Sequence, residues 1–181
     1  MASLILDDSG WIDVARHVPS PNCDDRPAGE SIDLIVIHAI SLPPNVFDSG
    51  DIDRLFTNTL DPQAHPFFAS IAALRVSAHF LIARNGCLTQ YVSCLQRAWH
   101  AGVSAWDGRE RCNDFSLGIE LEGCDSLAFS DQQYTTLRSL VAVLKSHYPV
   151  RGVQGHSQIA PTRKTDPGPF FDWRRSGLRG S

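Results

Sequence analysis

The run Leu34-Ile35-Val36-Ile37 is the strongest constraint on what this chain can become. Its residues are all apolar and mostly β-branched, so the segment has no polar face and suits a strand covered on both sides. A second run, FSLGIELEG from Phe115, reads the same way. AHFLIARNGCLTQYVS reads as a hairpin, two runs of strand-forming residues meeting at Asn85-Gly86, a dipeptide suited to the two positive φ angles of a type I′ turn. The clearest helix starts at Ser130, which forms a capping-box pattern with Gln133. Tyr134, Leu137, Val141 and Leu144 follow at helical spacing as far as His147, just before Pro149. This helix is expected to pack on the sheet as support, with His147 facing solvent near its C-terminus. Shorter helices are expected over residues 10–17, Asp51 to Thr57 and FFDWRR, and a short strand around Val153. RAWHAGVSAWDGRERCNDF reads as a long irregular loop.

At 181 residues, with no internal repeat, linker or low-complexity segment, the chain is expected to form one domain over residues 1–181. A net charge of -4 argues against nucleic acid or an anionic membrane as the main partner. No apolar run approaches the length of a membrane span. The start, MASLILDDSG, lacks a cationic segment ahead of its short apolar run, so a cytoplasmic location is expected. The five cysteines are odd in number and form no CxxC pair; they read as reduced thiols, with no disulfide framework or structural zinc knuckle.

Chemistry concentrates in QGHSQIAPTRKTDPG, residues 154–168. Pro161, Pro167 and the nearby Pro169 rule out a helix interior or a central strand, so this is expected to be an ordered loop carrying His156, Lys164 and Asp166. Histidine and aspartate suit zinc, and a catalytic zinc site takes three protein ligands and leaves a fourth position open. The third candidate is His38, at the end of the first buried strand, where open sheets bind ligands. Glu120 lies between Ile119 and Leu121, where desolvation would raise its pKa toward the range of a general base. Glu122 shares its face but is expected to sit at the strand end within reach of water. Together these residues fit zinc-assisted hydrolysis: His38, His156 and Asp166 hold one zinc ion, which lowers the pKa of bound water to about 7. Glu120 moves the proton, and Lys164 stabilises the oxyanion. Lys164 is one of two lysines against fourteen arginines, a compact point charge where the chain otherwise uses guanidinium. Around this centre, Arg75 is a candidate anion clamp, Trp99 and His100 are candidate walls of a cleft, and His79 is expected to pack within the sheet rather than bind metal.

VIHAISLPP, LRVSAHFLI, QYVSCLQRAWHAGVS, GRERCNDFSLGIELEG and GHSQIAPTRKTDPG, in this order and spacing, resemble the AmpD-type cytoplasmic N-acetylmuramoyl-L-alanine amidases. These belong to the zinc amidase family that includes peptidoglycan recognition proteins and phage amidases. The resemblance runs from about Gly10 to Trp173. It implies an α+β fold, three-layer α/β/α, with a central mixed β-sheet flanked by helices. It implies zinc ligation by His38, His156 and Asp166, Glu120 and Lys164 as catalytic pair, and a substrate contact by Arg75. The implied substrate is a small-molecule muropeptide, a 1,6-anhydro-N-acetylmuramoyl peptide from peptidoglycan recycling, cut between the lactyl carbonyl and L-alanine by a monomeric enzyme. Loss of that activity would let muropeptides accumulate and induce a β-lactamase. Ala39 stands where the family usually has asparagine, which removes an amide that could contact substrate. Two alternatives use the same fold: muropeptide binding without cleavage, disfavoured because both ligands and base are present, and lysis of intact wall, disfavoured by the lack of a signal or wall-binding module.

Overall fold

The computed structural model describes residues 4–178; the reading of Met1 to Ser3 as no part of a leader lies outside them. Among the described residues ten strands occur in chain order: β1 (Arg16–His17), β2 (Cys23–Asp25), β3 (Leu34–Ile40), β4 (Phe80–Ile82), β5 (Leu88–Gln90), β6 (Gln96–Ala98), β7 (Ala105–Trp106), β8 (Arg109–Glu110), β9 (Ser116–Glu122) and β10 (Gly152–Gly155). The helices are α1 (Asp51–Phe56), α2 (Asp131–His147), α3 (His156–Ile159) and α4 (Trp173–Ser176). The main sheet runs β1-β5-β4-β9-β3-β10. Only β4 and β5 pair antiparallel within it, so the sheet is mixed.

The apolar run of β3 is buried on both sides, as its composition requires. Ile35 and Ile37 join Leu117, Ile119 and Leu121 of β9 in a core closed by Tyr134, Leu137, Leu140, Val141 and Leu144 of α2. The alternate residues Leu34 and Val36 face the other way, toward Phe115 and Ile159, while Leu81 of β4 packs against Ile52, Leu55 and Phe56 of α1. α2 covers one face with α4 against it, and α1, α3 and irregular segments cover the other. The predicted capping box is present: the Ser130 hydroxyl accepts from the Gln133 N–H at 3.1 Å, and the Ser130 N–H donates to Gln133 Oε1 at 3.0 Å. The Gln133 amide also donates to the carbonyls of Ile82 and Glu122, tying the helix start to β4 and β9.

Several expectations need correction. Residues 10–17 form no helix: the Asp7 carboxylate accepts the N–H groups of Ser9 and Trp11, closing a turn, and the buried Ile12 donates its N–H to Gln90 Oε1 at 2.8 Å. That tertiary bond outweighs a weak local preference, and the segment ends as β1 beside β5. The β4–β5 hairpin exists, but its loop is not type I′. Gly86 has φ 83°, whereas Asn85 is absent from the residues with positive φ. Ala83 and Cys87 close a three-residue loop, the form that needs a single left-handed position. Neighbours shape it: the Arg84 N–H donates to Glu122 Oε2 and its carbonyl accepts from Ser130 Oγ. The two consecutive positive φ angles occur instead at Asp107 and Gly108, 53° and 74°, joining β7 to β8 inside the stretch expected to be irregular. That stretch also contributes β6, paired with β2. β3 continues to Ile40, so His38 sits inside it rather than at its end. Glu122 is buried rather than wet, because its carboxylate accepts the N–H groups of Asp48 at 2.6 Å and Arg84 at 3.1 Å.

Candidate metal centre

Three adjacent strands deliver the polar residues at one level of the sheet. In the parallel ladders Gly155 is opposite Ile37, and His38 is opposite Glu120, so His156, one residue beyond β10, arrives next to His38. With a side-chain period of two, His38 and Glu120 fall on the face away from α2, while Ile37, Ile119 and Leu121 feed the core beneath it. The segment expected to be loop thus begins with the end of β10 and the one-turn α3, and becomes irregular only afterwards. It returns so that the Asp166 carbonyl accepts the Ser157 N–H at 2.8 Å, which brings the Asp166 carboxylate over the two imidazoles.

His38 Nδ1 and His156 Nδ1 are 3.0 Å apart, and each lies 3.1 Å from Asp166 Oδ2. Both histidines are buried and the aspartate is half-buried. Each ring's far nitrogen has a partner: His156 Nε2 meets the Ala101 carbonyl at 3.1 Å, and His38 Nε2 meets His100 Nδ1 at 2.9 Å. With the Nε2 protons donated outward, three lone pairs converge on one point. Such an arrangement is costly without a cation or shared proton and fits a divalent metal that takes nitrogen and oxygen ligands. Among the described residues this is the one cluster whose donor atoms all lie within 4.8 Å of one another.

The electrostatics follow from burial and contact. Burial pushes the His38 imidazole down to about 4, against the opposing hydrogen bond from Asp166. Burial also holds His79 at about 3 and His100 well below the ordinary histidine range. Burial would push the Asp166 carboxyl up, but its bonds to His156 and His38 outweigh this and hold it below the usual carboxylate range. Glu120 moves the other way, raised well above its ordinary value by burial first and by the Asp166 charge second. Its Oε2 is buried with no hydrogen-bond partner.

His38, His100, Glu120, Lys164 and Asp166 line a cleft of about 220 Å³, with Trp99 also in its wall. Trp99 is fixed by an indole N–H bond to Asp24 Oδ1 at 3.1 Å. Arg75 is exposed beside Leu74 and Val76, which line the cleft, and its guanidinium folds back onto the carbonyls of Ala73 and Leu74. Ala39 also lines the cleft. His79 is fully buried and accepts the Gly118 N–H through Nδ1, a sheet role as expected. A larger depression of about 650 Å³ beside α1 holds no comparable cluster, since Asp53 pairs with Arg16 at 2.7 Å and Glu122 is saturated by backbone N–H groups. Sequence reasoning missed the connection of His100 to His38 and the role of Asn113, whose Oδ1 accepts the N–H groups of both His100 and Ala101. No local signal in the sequence marks this pairing, because His100 lies in a stretch without helix or strand periodicity.

A mixed sheet with this cluster at one level of its strands defines a class: the chain belongs to the N-acetylmuramoyl-L-alanine amidase family, whose model matches residues 28–169. More particularly, it is 58% identical over 173 residues to the 1,6-anhydro-N-acetylmuramyl-L-alanine amidase AmpD of Citrobacter freundii, covering 94% of this chain and 92% of that protein. The crystal structure of a selenomethionine AmpD derivative superposes with a TM-score of 0.93 at 57% identity, over 96% of this chain and 98% of the other. The E. coli amidase AmiD, solved with the substrate anhydro-N-acetylmuramic acid-L-Ala-D-γ-Glu-L-Lys, is 28% identical with a TM-score of 0.62, over 97% of this chain and 65% of that one.

Proposed function

We propose that this protein is a zinc-dependent 1,6-anhydro-N-acetylmuramoyl-L-alanine amidase, a monomeric single-domain enzyme of cytoplasmic peptidoglycan recycling. It cuts the amide between the lactyl group of anhydromuramic acid and L-alanine, and so keeps down the muropeptides that induce β-lactamase. The observation that carries this reading is the convergence of His38 Nδ1, His156 Nδ1 and Asp166 Oδ2 within 3.0–3.1 Å of one another, facing a cleft that also holds Glu120 and Lys164. The high identity to AmpD proteins along nearly the whole chain supports the choice of substrate. Among the described residues no helix is long and apolar enough to cross a membrane.

His38, His156 and Asp166 hold the zinc ion, and the chemistry that zinc supplies in such a site is Lewis acidity. Glu120 takes the proton of the attacking water and returns it to the departing alanine nitrogen; its raised pKa suits both halves of that transfer. The Lys164 ammonium stabilises negative charge on the carbonyl oxygen as the tetrahedral centre forms. Trp99 presents an apolar wall to the substrate, and Arg75 at the rim can offer its guanidinium to a stem-peptide carboxylate. Ala39 leaves that part of the wall without a side-chain amide.

Incubation of the protein with an anhydromuropeptide and zinc is expected to release free stem peptide, detected by mass spectrometry. A chelator should stop the reaction and added zinc restore it. Binding without release would leave a muropeptide-binding protein. Clearing of whole sacculi at a rate matching the anhydro substrate would make it a lytic amidase. Lys164→Ala should lower kcat about 10²–10³-fold with KM little changed, the signature of a group acting on developing charge. A rise in KM alone would assign Lys164 to binding.

A further inference from the structure

His38 meets His100 and His156 edge-on, and His100 meets His79 in the same way. We infer that His100 is a positioning residue for the metal site: its Nδ1 accepts the Nε2–H of His38 and thereby fixes which ring nitrogen of His38 faces His156 and Asp166. The inference rests on the ligand reading above and extends it to a residue that reading leaves in the cleft wall.

A metal-binding imidazole needs its free nitrogen aimed and its other nitrogen protonated, and an outer acceptor does both. The two histidines are served by consecutive residues. His156 gives its Nε2 to the carbonyl of Ala101 at 3.1 Å, and His38 gives its Nε2 to the side chain of His100 at 2.9 Å. Nδ1 of His100 is an acceptor when its own proton is on Nε2, and that nitrogen has the Ser116 hydroxyl 3.3 Å away. With His100 protonated at Nε2, the chain of bonds runs from His38 through His100 to the Ser116 hydroxyl, which can accept.

The surroundings hold His100 to this task. Asn113 Oδ1 accepts the N–H groups of His100 and Ala101 at 3.2 and 2.8 Å, so one side chain sets the height of both outer acceptors. The His100 ring lies directly over Gly118, where an added Cβ would come within 2.5 Å of its Cγ; no larger residue of β9 leaves room for it. Edge contacts to His38 and His79, with centroids 5.0 and 5.8 Å away, complete the cage. A group needed only to fill space would not require an acceptor nitrogen at this point.

The test uses the full chain and separates packing from hydrogen bonding. Zinc affinity, measured by competition with a chromophoric chelator, is expected to fall about 10–100-fold in His100→Phe, which keeps a ring of similar size but has no acceptor. His100→Asn keeps an oxygen near the position of Nδ1 and should recover most of that loss. Nitrogen-detected NMR of the metal-free wild type should find both His38 and His100 protonated at Nε2. Affinity in His100→Phe equal to wild type, equal losses in the Phe and Asn variants, or a His100 proton on Nδ1 would each overturn the assignment. Should His100→Phe not fold, the Asn variant and the tautomer measurement still decide. Because the tautomers are read without metal, a protein that binds no zinc would refute the ligand set while leaving this hydrogen bond to be judged separately.

Discussion

Replacing Glu120 by glutamine should leave zinc in place and lower kcat about 10²–10⁴-fold, the span expected when a positioned acid–base group is removed. Glutamine matches the size of glutamate but cannot accept a proton, and Glu120 lies outside the converging triad, so metal content by elemental analysis should equal that of the wild type. Wild-type turnover in this variant would place the proton acceptor elsewhere. The same substitution should also alter stability. The folded pKa of Glu120 lies above its ordinary value, so the folded state holds this proton more tightly than the unfolded chain does. The stability associated with the protonated form is fully present below the ordinary carboxylate pKa and is lost as pH rises through the folded value. Above that window the wild type carries a buried charge whose Oε2 has no hydrogen-bond partner, and the glutamine variant does not. Metal-free Glu120→Gln should therefore melt higher than metal-free wild type at neutral pH, and the difference should shrink toward pH 4. A constant difference would mean that Glu120 is not the group responsible.

Asp166→Ala should abolish stoichiometric zinc binding, with a loss of affinity beyond the 10–100-fold typical of an outer partner. Asp166 Oδ2 is the atom shared by both histidines at 3.1 Å, and without it two imidazole nitrogens face each other at 3.0 Å with no anion to complete the set. Activity should fall with the metal and return in part at high zinc concentration, which distinguishes lost affinity from lost catalysis. Equal zinc content in the variant and the wild type would disprove the ligand set. Paired with Glu120→Gln, the experiment separates a residue that holds the cofactor from one that moves a proton.

Strong local signals in the sequence survive in the structure. The buried strand β3 follows from its unbroken Leu34–Ile37 run and β9 from the alternating Leu117, Ile119 and Leu121, and α2 begins and ends where Ser130 and His147 indicate. Weak signals were overruled by distant partners. The Asn85-Gly86 loop takes its shape from Glu122 and Ser130, and residues 10–17 are drawn into turn and strand by Gln90. For the site, the side-chain types that can ligate or titrate were readable, because an imidazole or carboxylate among apolar residues is expensive without a purpose. What could not be read was the pairing of His38 with His100, since it depends on how residues 97–115 fold back over β9, and those residues carry no periodic pattern. The dryness of Glu122 was hidden for the same reason: two loops, not its own strand, exclude water from it.

The ladder that sets Gly155 against Ile37 and His38 against Glu120 has a consequence for how this protein tolerates change in length. A residue added to or removed from β3 ahead of His38 shifts the alternation by one and turns the imidazole toward α2, with Ile37 or Ala39 presented to the cleft in its place. The connections between the strands have no such phase to keep. Natural or engineered insertions should therefore be tolerated best in those connections, while the three strand segments that meet here keep a fixed residue count.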